Sequence, residues 1–222
     1  MDLPLFPLNL VLFPGQQLPL HIFEPRYREM IGYCLENDSP FGVVLLREGE
    51  DVGPLAAEPH VIGTAARIVE AKRMPDGRMY IMVTGTKRFR VKAFNQSHSY
   101  LSGEVAHFPI VNGSTQRAVK MAQIVRPRVL EYVEALSKAT DSKLPLNRLP
   151  EDPTSLAFLI AMALQVSNDE KQKLLALQSV PDILTHENYL LWREVALLNH
   201  MVQSLDQVMA QTSGPTGYLF TN

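Results

Sequence analysis

Leu3-Pro4-Leu5-Phe6-Pro7-Leu8, Val11-Leu12-Phe13-Pro14-Gly15 and Leu18-Pro19-Leu20-His21-Ile22-Phe23-Glu24-Pro25-Arg26-Tyr27 open the chain as three apolar blocks cut by proline. Each proline fixes φ and removes an N–H, so no helix runs through the blocks and only short or edge strands fit. The stretch predicts a barrel-like β fold entered through its first strands. It also excludes a membrane anchor, because the ~18 uninterrupted apolar residues of a spanning helix are never reached. Met1-Asp2 offers no basic leader ahead of the apolar run, so we expect no signal peptide and a soluble, cytoplasmic protein.

Outward from this stretch, the two halves of the 222 residues read differently. Pro25 suits the first turn of a helix, where its missing N–H costs nothing. Tyr27, Met30, Ile31 and Cys34 follow at helical spacing. Phe41–Leu46 is a compact apolar strand, and 47–59, with Gly49, Gly53, Pro54 and Pro59, reads as a surface loop. His60–Met74 and Met79–Thr84 flank Pro75-Asp76-Gly77 and predict a β-hairpin. Arg88–Phe94 alternates polar and apolar as a further strand, and Tyr100–Phe108 is the last.

Beyond Pro109 and Asn112-Gly113-Ser114 the pattern turns helical. Val119, Ala122, Val125, Val129, Val133 and Leu136 form a stripe across 115–139, with Pro127 inside expected to kink or split it. Asp152-Pro153 and Ser167-Asn168-Asp169-Glu170 are helix starts. Pro181 opens the longest helix, where Leu184, Leu191, Leu198 and Leu205 repeat every seven residues beside Asn188, Val195, Val202 and Met209. That seam fits a short coiled coil joining two copies, with Asn188 fixing register; an amphipathic helix packed in its own bundle is the preferred reading. The expected division is 1–112, 113–211 and a loose tail over 212–222.

Composition narrows the function classes. A net charge of −2 is not that of a general nucleic-acid trap. The single cysteine, Cys34, rules out an internal disulfide framework and falls at an apolar helix position, as a buried inert thiol does. There is no G-x-x-x-x-G-K-[ST], H-E-x-x-H or G-x-S-x-G, and no two of the six histidines are spaced to share a metal on a helix. We expect no cofactor and no metal. His21 and Glu24 are close enough to form an acid–base pair. The preferred alternative has Glu24 accepting backbone N–H groups at the start of the 25–36 helix. Arg67, Lys72, Arg73, Arg78, Lys87, Arg88, Arg90 and Lys92 stand against only Glu70 and Asp76, with Phe89 and Phe94 interleaved. Basic strands with aromatics suit RNA, but they also suit a solvated sheet face.

The opening blocks, together with Ile62-Gly63-Thr64-Ala65-Ala66-Arg67-Ile68 and Gly85-Thr86-Lys87-Arg88-Phe89-Arg90-Val91, resemble the LON domain, the N-terminal substrate-recognition domain of the ATP-dependent Lon protease. The resemblance is strong over about 1–110 and weaker in the helical half. It implies an α+β fold, a PUA-like β pseudo-barrel followed by a C-terminal helical bundle. It implies recognition of polypeptide without catalysis, since the chain carries the motifs of neither the ATPase nor the protease domain. We expect a stand-alone LON-domain protein whose partner is an unfolded or partner polypeptide, as monomer or as homodimer through the final helix. Phe13, Pro14, Phe23, Arg26, Tyr27, Arg88 and Phe89 are the candidate lining of a cleft between barrel and helices. The alternative, RNA on the barrel, requires Lys87, Arg88, Arg90 and Lys92 to share one face. A dispersed enzyme site is the remaining option, and no motif names its chemistry.

Overall fold

The computed structural model describes residues 2–47, 59–142 and 148–212, without the side chains of 206 and 209–212. Most of the expected 47–59 loop, the side chain of Met209 and the tail beyond 212 lie outside the described residues.

Six strands come first: β1 (Asp2–Leu8), β2 (Gln17–Ile22), β3 (Phe41–Leu46), β4 (Pro59–Arg73), β5 (Met79–Asn95) and β6 (Ser102–His107), with α1 (Pro25–Glu36) between β2 and β3. Four helices follow: α2 (Gln116–Thr140), α3 (Pro153–Ala163), α4 (Asn168–Ala176) and α5 (Val180–Thr212). The strand order is β2-β5-β4-β3-β1-β6, and β5 also pairs with β6. Five strands therefore close into an uneven ring, while β2 stands outside it on β5. This is the α+β pseudo-barrel with a following helical bundle that the sequence implies.

Proline is handled by dividing the pairing. β1 carries Pro4 and Pro7 yet sits between two neighbours. Its first residues, Asp2–Pro4, pair with β6, and Leu5–Leu8 pair in parallel with β3. Each half of β1 thus has one open side for a ring nitrogen that cannot donate. β2, with Pro19, is an outright edge strand, paired only with β5.

β5 runs unbroken for 17 residues, where two separate strands were expected over 79–84 and 88–94. Gly85 is the reason. A Cβ there would lie 2.2 Å from the Phe13 carbonyl oxygen, so the glycine marks a close backbone crossing rather than a strand end. Gly85 N–H donates to the Gln16 carbonyl, and Gly15 N–H donates to the Gly85 carbonyl. The first half of β5 pairs with β2 and the second with β6. Opposite it, β4 pairs with β3 only as far as Ala66 and continues beside β5 to Arg73. Residues 67–73, 79–84 and 17–22 therefore form a three-stranded wing beyond the ring.

α1 buries Tyr27, Met30, Ile31 and Cys34, the four residues at helical spacing. They pack with Ile22, Met79, Ile81 and Val83 on the inner face of the wing. α2 is one continuous helix of 25 residues with Pro127 inside it, so of the expected kink or split the split does not occur. Pro127 and Gln123 are both on the exposed side, so the carbonyl that proline leaves unbonded faces solvent. Asp152 caps α3 through the Ser155 N–H at 2.8 Å, and Ser167 caps α4 through the Glu170 N–H at 3.3 Å.

The largest core joins both halves of the chain. Val11, Phe13, Leu45, Ile62 and Phe108 pack with Val125, Leu156, Ile160, Leu184 and Leu191. On α5 the first part of the heptad seam is used internally: Leu184 and Leu191 are buried in this core, and Val195 and Leu198 pack against it, whereas Leu205 is half exposed. Among the described residues no helix is long and apolar enough to cross a membrane.

Candidate functional site

Three of the residues expected to line a cleft between barrel and helices are buried, and they fall in three separate cores, only that of Phe13 being shared with the helical half. Phe13 is fully buried, with its ring 6.5 Å from that of Phe158. Tyr27 is buried under α1 against Phe6, at 4.2 Å between centroids. Phe89 is buried and fills the space above Gly42 and Gly63. Pro14 is half-buried. Of the seven candidate lining residues, only Phe23 and Arg26 present most of the side chain to solvent. Arg26 is held by Glu24 at 2.8 Å and lies over the Tyr27 ring at 4.6 Å.

Arg88 is a structural cation. It is 3% exposed, and its Nη1 donates to the carbonyl oxygens of Leu175 and Leu177 at the end of α4. Desolvation pulls its pKa down to about 10, which still leaves it charged at neutral pH. A cation suits that position, because the last helical carbonyls are unpaired and carry the negative end of the helix dipole. The four-residue basic face does not form: Arg88 points into the bundle, and Lys92 is paired with Glu104 on β6 at 3.0 Å. Lys87 and Arg90 are exposed, the latter's guanidinium over the Phe108 ring at 4.9 Å.

His21 and Glu24 do not pair. Glu24 turns to Arg26 and makes no side-chain cap at α1, while the His21 ring lies flat on Tyr80 at 4.5 Å and 13°. Cys34 is buried, and burial pushes its thiol pKa up, which suits an inert side chain.

What the strands bring together is the outer face of the wing. β2, β5 and β4 set His21 beside Tyr80 and Tyr80 beside Lys72; one step along, Pro19, Met82 and Glu70 stand in line. Phe23, at the end of β2, lies 5.6 Å from His21. Phe23 is 58% exposed and Tyr80 50%. A bulge between Ile68 and Glu70 turns Val69 outward as well. Pro19, Leu20, His21, Lys72, Tyr80 and Met82 line an open depression of about 340 Å³ here. Two larger hollows, of about 580 and 620 Å³, flank α1 and share Arg28, Glu29, Gly32 and Glu36. Those are charged grooves, whereas the wing presents a stacked aromatic row.

Tyr80, Met82 and Val69 were absent from the expected site. In sequence they are the outward members of alternating strands, and nothing local says which neighbour each will meet. Only the register places Tyr80 beside His21.

Comparison with known proteins follows the same outline. A Lon protease 1 from Hydrogenovibrio crunogenus is 24% identical over 190 residues, covering 86% of this chain and 23% of the relative. A Lon protease 2 from Myxococcus xanthus is 32% identical over 175 residues, covering 78% and 21%. The chain thus spans about a quarter of the length of the curated relatives it matches. Among solved structures, a Lon N-terminal domain protein from Xanthomonas campestris superposes with a TM-score of 0.61 at 25% identity, over 83% of this chain and 95% of that one. The N-terminal domain of a Mycobacterium avium complex Lon protease superposes at 0.65 with 20% identity, over 86% and 98%, and shows the fold. The model of the ATP-dependent protease La (LON) substrate-binding domain matches residues 2–193. On that match, the chain belongs to the LON substrate-binding domain family.

Proposed function

We propose that the chain is a non-catalytic module that binds polypeptide on the outer face of the wing. The carrying observation is the exposed row Phe23–His21–Tyr80, two of whose rings stack without any cover among the described residues. Clustered exposed aromatics on a folded surface mark interaction sites. The family description supports substrate recognition as the role, and in the relatives the match falls within proteins named Lon protease. The substrate class we infer is an unfolded or extended segment with apolar side chains, laid across the aromatic row. Pro19 removes a donor from β2, so side-chain contacts rather than strand addition carry the affinity.

The RNA alternative is disfavoured by the burial of Arg88 and the pairing of Lys92 with Glu104. We further infer that 1–112 and 113–211 are subdomains folding as one unit, since they share the largest core. A monomer accounts for the first part of the α5 seam, where Leu184, Leu191, Val195 and Leu198 are spent on its own bundle, while Leu205 is half exposed. The buried thiol of Cys34 suits the reducing cytoplasm.

The test is binding of a fluorescently labelled, permanently unfolded client to the wild type and to Phe23→Ser/Tyr80→Ser. Loss of two aromatic anchors weakens binding by about ten-fold or more, at unchanged thermal midpoint. Equal affinity of the two proteins refutes the wing as the site. Retention of labelled RNA by the wild type, falling steeply with salt, favours the alternative.

A further inference from the structure

The larger of the two hollows beside α1, about 620 Å³, has one face of that helix as a wall. Glu29, Gly32, Tyr33 and Glu36 follow at i, i+3, i+4 and i+7, so they form a single line along α1. The opposite wall carries His98 and Tyr100, whose rings stack at 5.1 Å and 8°. Ser99 Oγ donates to Glu29 Oε2 at 2.7 Å and ties the two walls together.

Three observations on this groove point to one ligand chemistry. Its charge is acidic: neither Glu29 nor Glu36 meets a cation among the described residues. Arg28, the one Lys or Arg of the lining, turns its guanidinium to the hairpin, where a Cβ on Gly77 would lie 2.7 Å from it. Tyr100 lines the groove although only 7% exposed, and its hydroxyl has no hydrogen-bond partner among the described residues. Burial raises the pKa of that hydroxyl, and nearby negative groups, Glu29 and Asp2 among them, raise it further. Gly32 leaves the middle of the α1 line empty, since a Cβ there would meet nothing within 4 Å. Glycine is unfavourable inside a helix, so its place here gives open floor rather than stability.

Among the described residues no three His, Cys, Asp or Glu side chains are grouped to hold a metal ion. Separated carboxylates beside phenol rings suit an organic cation, which gains both charge pairing and a cation–π contact. The apolar stem of arginine or lysine also covers aromatic surface on its way to the acids.

We propose that the groove receives an arginine or lysine side chain of a polypeptide, its stem over Gly32 between Tyr33 and Tyr100 and its head at the carboxylates of Glu29 and Glu36. The hollow exceeds what one side chain fills, which leaves room for the backbone that carries it. The site lies beside α1, on the inner side of the wing, and is separate from the aromatic row on the outer face.

The test titrates a fluorescent, end-blocked peptide of arginine, serine and glycine into the full 222-residue chain at low salt. A counterpart with citrulline for arginine keeps the shape and loses the charge. Gly32→Leu fills the floor from open space, and Tyr33→Ser/Glu36→Gln removes a phenol and a carboxylate. The expected result is binding of the arginine peptide about ten-fold or more tighter than its citrulline counterpart, with a similar loss in both variants at unchanged circular dichroism. Unchanged binding in Gly32→Leu overturns the groove as the site, and equal binding of the two peptides overturns the cation. Full displacement by an equimolar amount of spermidine assigns the groove to free polyamines and overturns the polypeptide.

Discussion

Arg88 Nη1 lies 2.7 Å from the Leu175 carbonyl oxygen, a hydrogen bond that ties the middle of β5 to the end of α4 across 87 residues of chain. Nearby, Gln172 Nε2 on α4 donates to the Ile62 carbonyl of β4 at 3.0 Å. The two bonds fasten α4 to the barrel from opposite partners.

Arg88→Met keeps the side chain's bulk and removes the charge-assisted donors. The Leu175 and Leu177 carbonyls are then left without that partner at a helix end. Bonds to charged groups are worth about 1.5–3 kcal/mol each when lost, so we expect destabilisation of about 3 kcal/mol. Denaturant titration of the two proteins reads it as a lower midpoint at unchanged slope.

Gly85→Ala tests the backbone crossing. The added methyl meets the Phe13 carbonyl oxygen, which belongs to backbone and cannot swing aside. Strand and loop must separate, at the expense of the Gly85–Gln16 and Gly15–Gly85 bonds. The expected loss is about 2 kcal/mol or more, seen as a fall in thermal midpoint. An unchanged midpoint rejects the crossing.

Glu187 is fully buried on α5, and neither carboxylate oxygen has a hydrogen-bond partner. Desolvation raises its pKa well above the usual carboxylate value. The folded chain therefore keeps a proton there that the unfolded chain releases. This contribution is complete below about pH 4 and is lost as pH rises toward the folded pKa. Glu187→Gln removes the titration while keeping the shape. We expect the variant to be the more stable at about pH 8, with the gap closing toward about pH 4. Parallel melting curves across that range check it, and a gap independent of pH rejects it.

Asp152 carries the opposite sign. The Ser155 backbone N–H it accepts lowers its pKa, so its stabilising effect is present above the unfolded value and lost as pH falls through the folded one. Asp152→Ala should lower stability by about 1 kcal/mol at neutral pH and by less in acid. Chemical denaturation at the two pH values measures both.

Legibility in the sequence followed the range of the interaction. Tyr27, Met30, Ile31 and Cys34 declare α1 because one helix turn brings them together, and Asp152 and Ser167 declare helix starts within three residues. Arg88 reads as an ordinary wet-face residue of a strand, since the carbonyls that claim it lie on α4. Phe13, Tyr27 and Phe89 read equally well as lining or as core, and burial alone separates the two. His21 was visible as a chemical group but not as the neighbour of Tyr80, which depends on β2 and β5 aligning in register.

β5 belongs to two assemblies at once, its first half to the wing and its second to the closed ring. Mechanically the wing is a cantilever whose root is two continuous backbones, β4 and β5. Tension applied at Tyr80 and directed along β5 loads the interstrand bonds of the ring together in shear. The same tension directed across β5 opens them one at a time. Resistance of the domain to load is therefore direction-dependent, firm along β5 and weak across it.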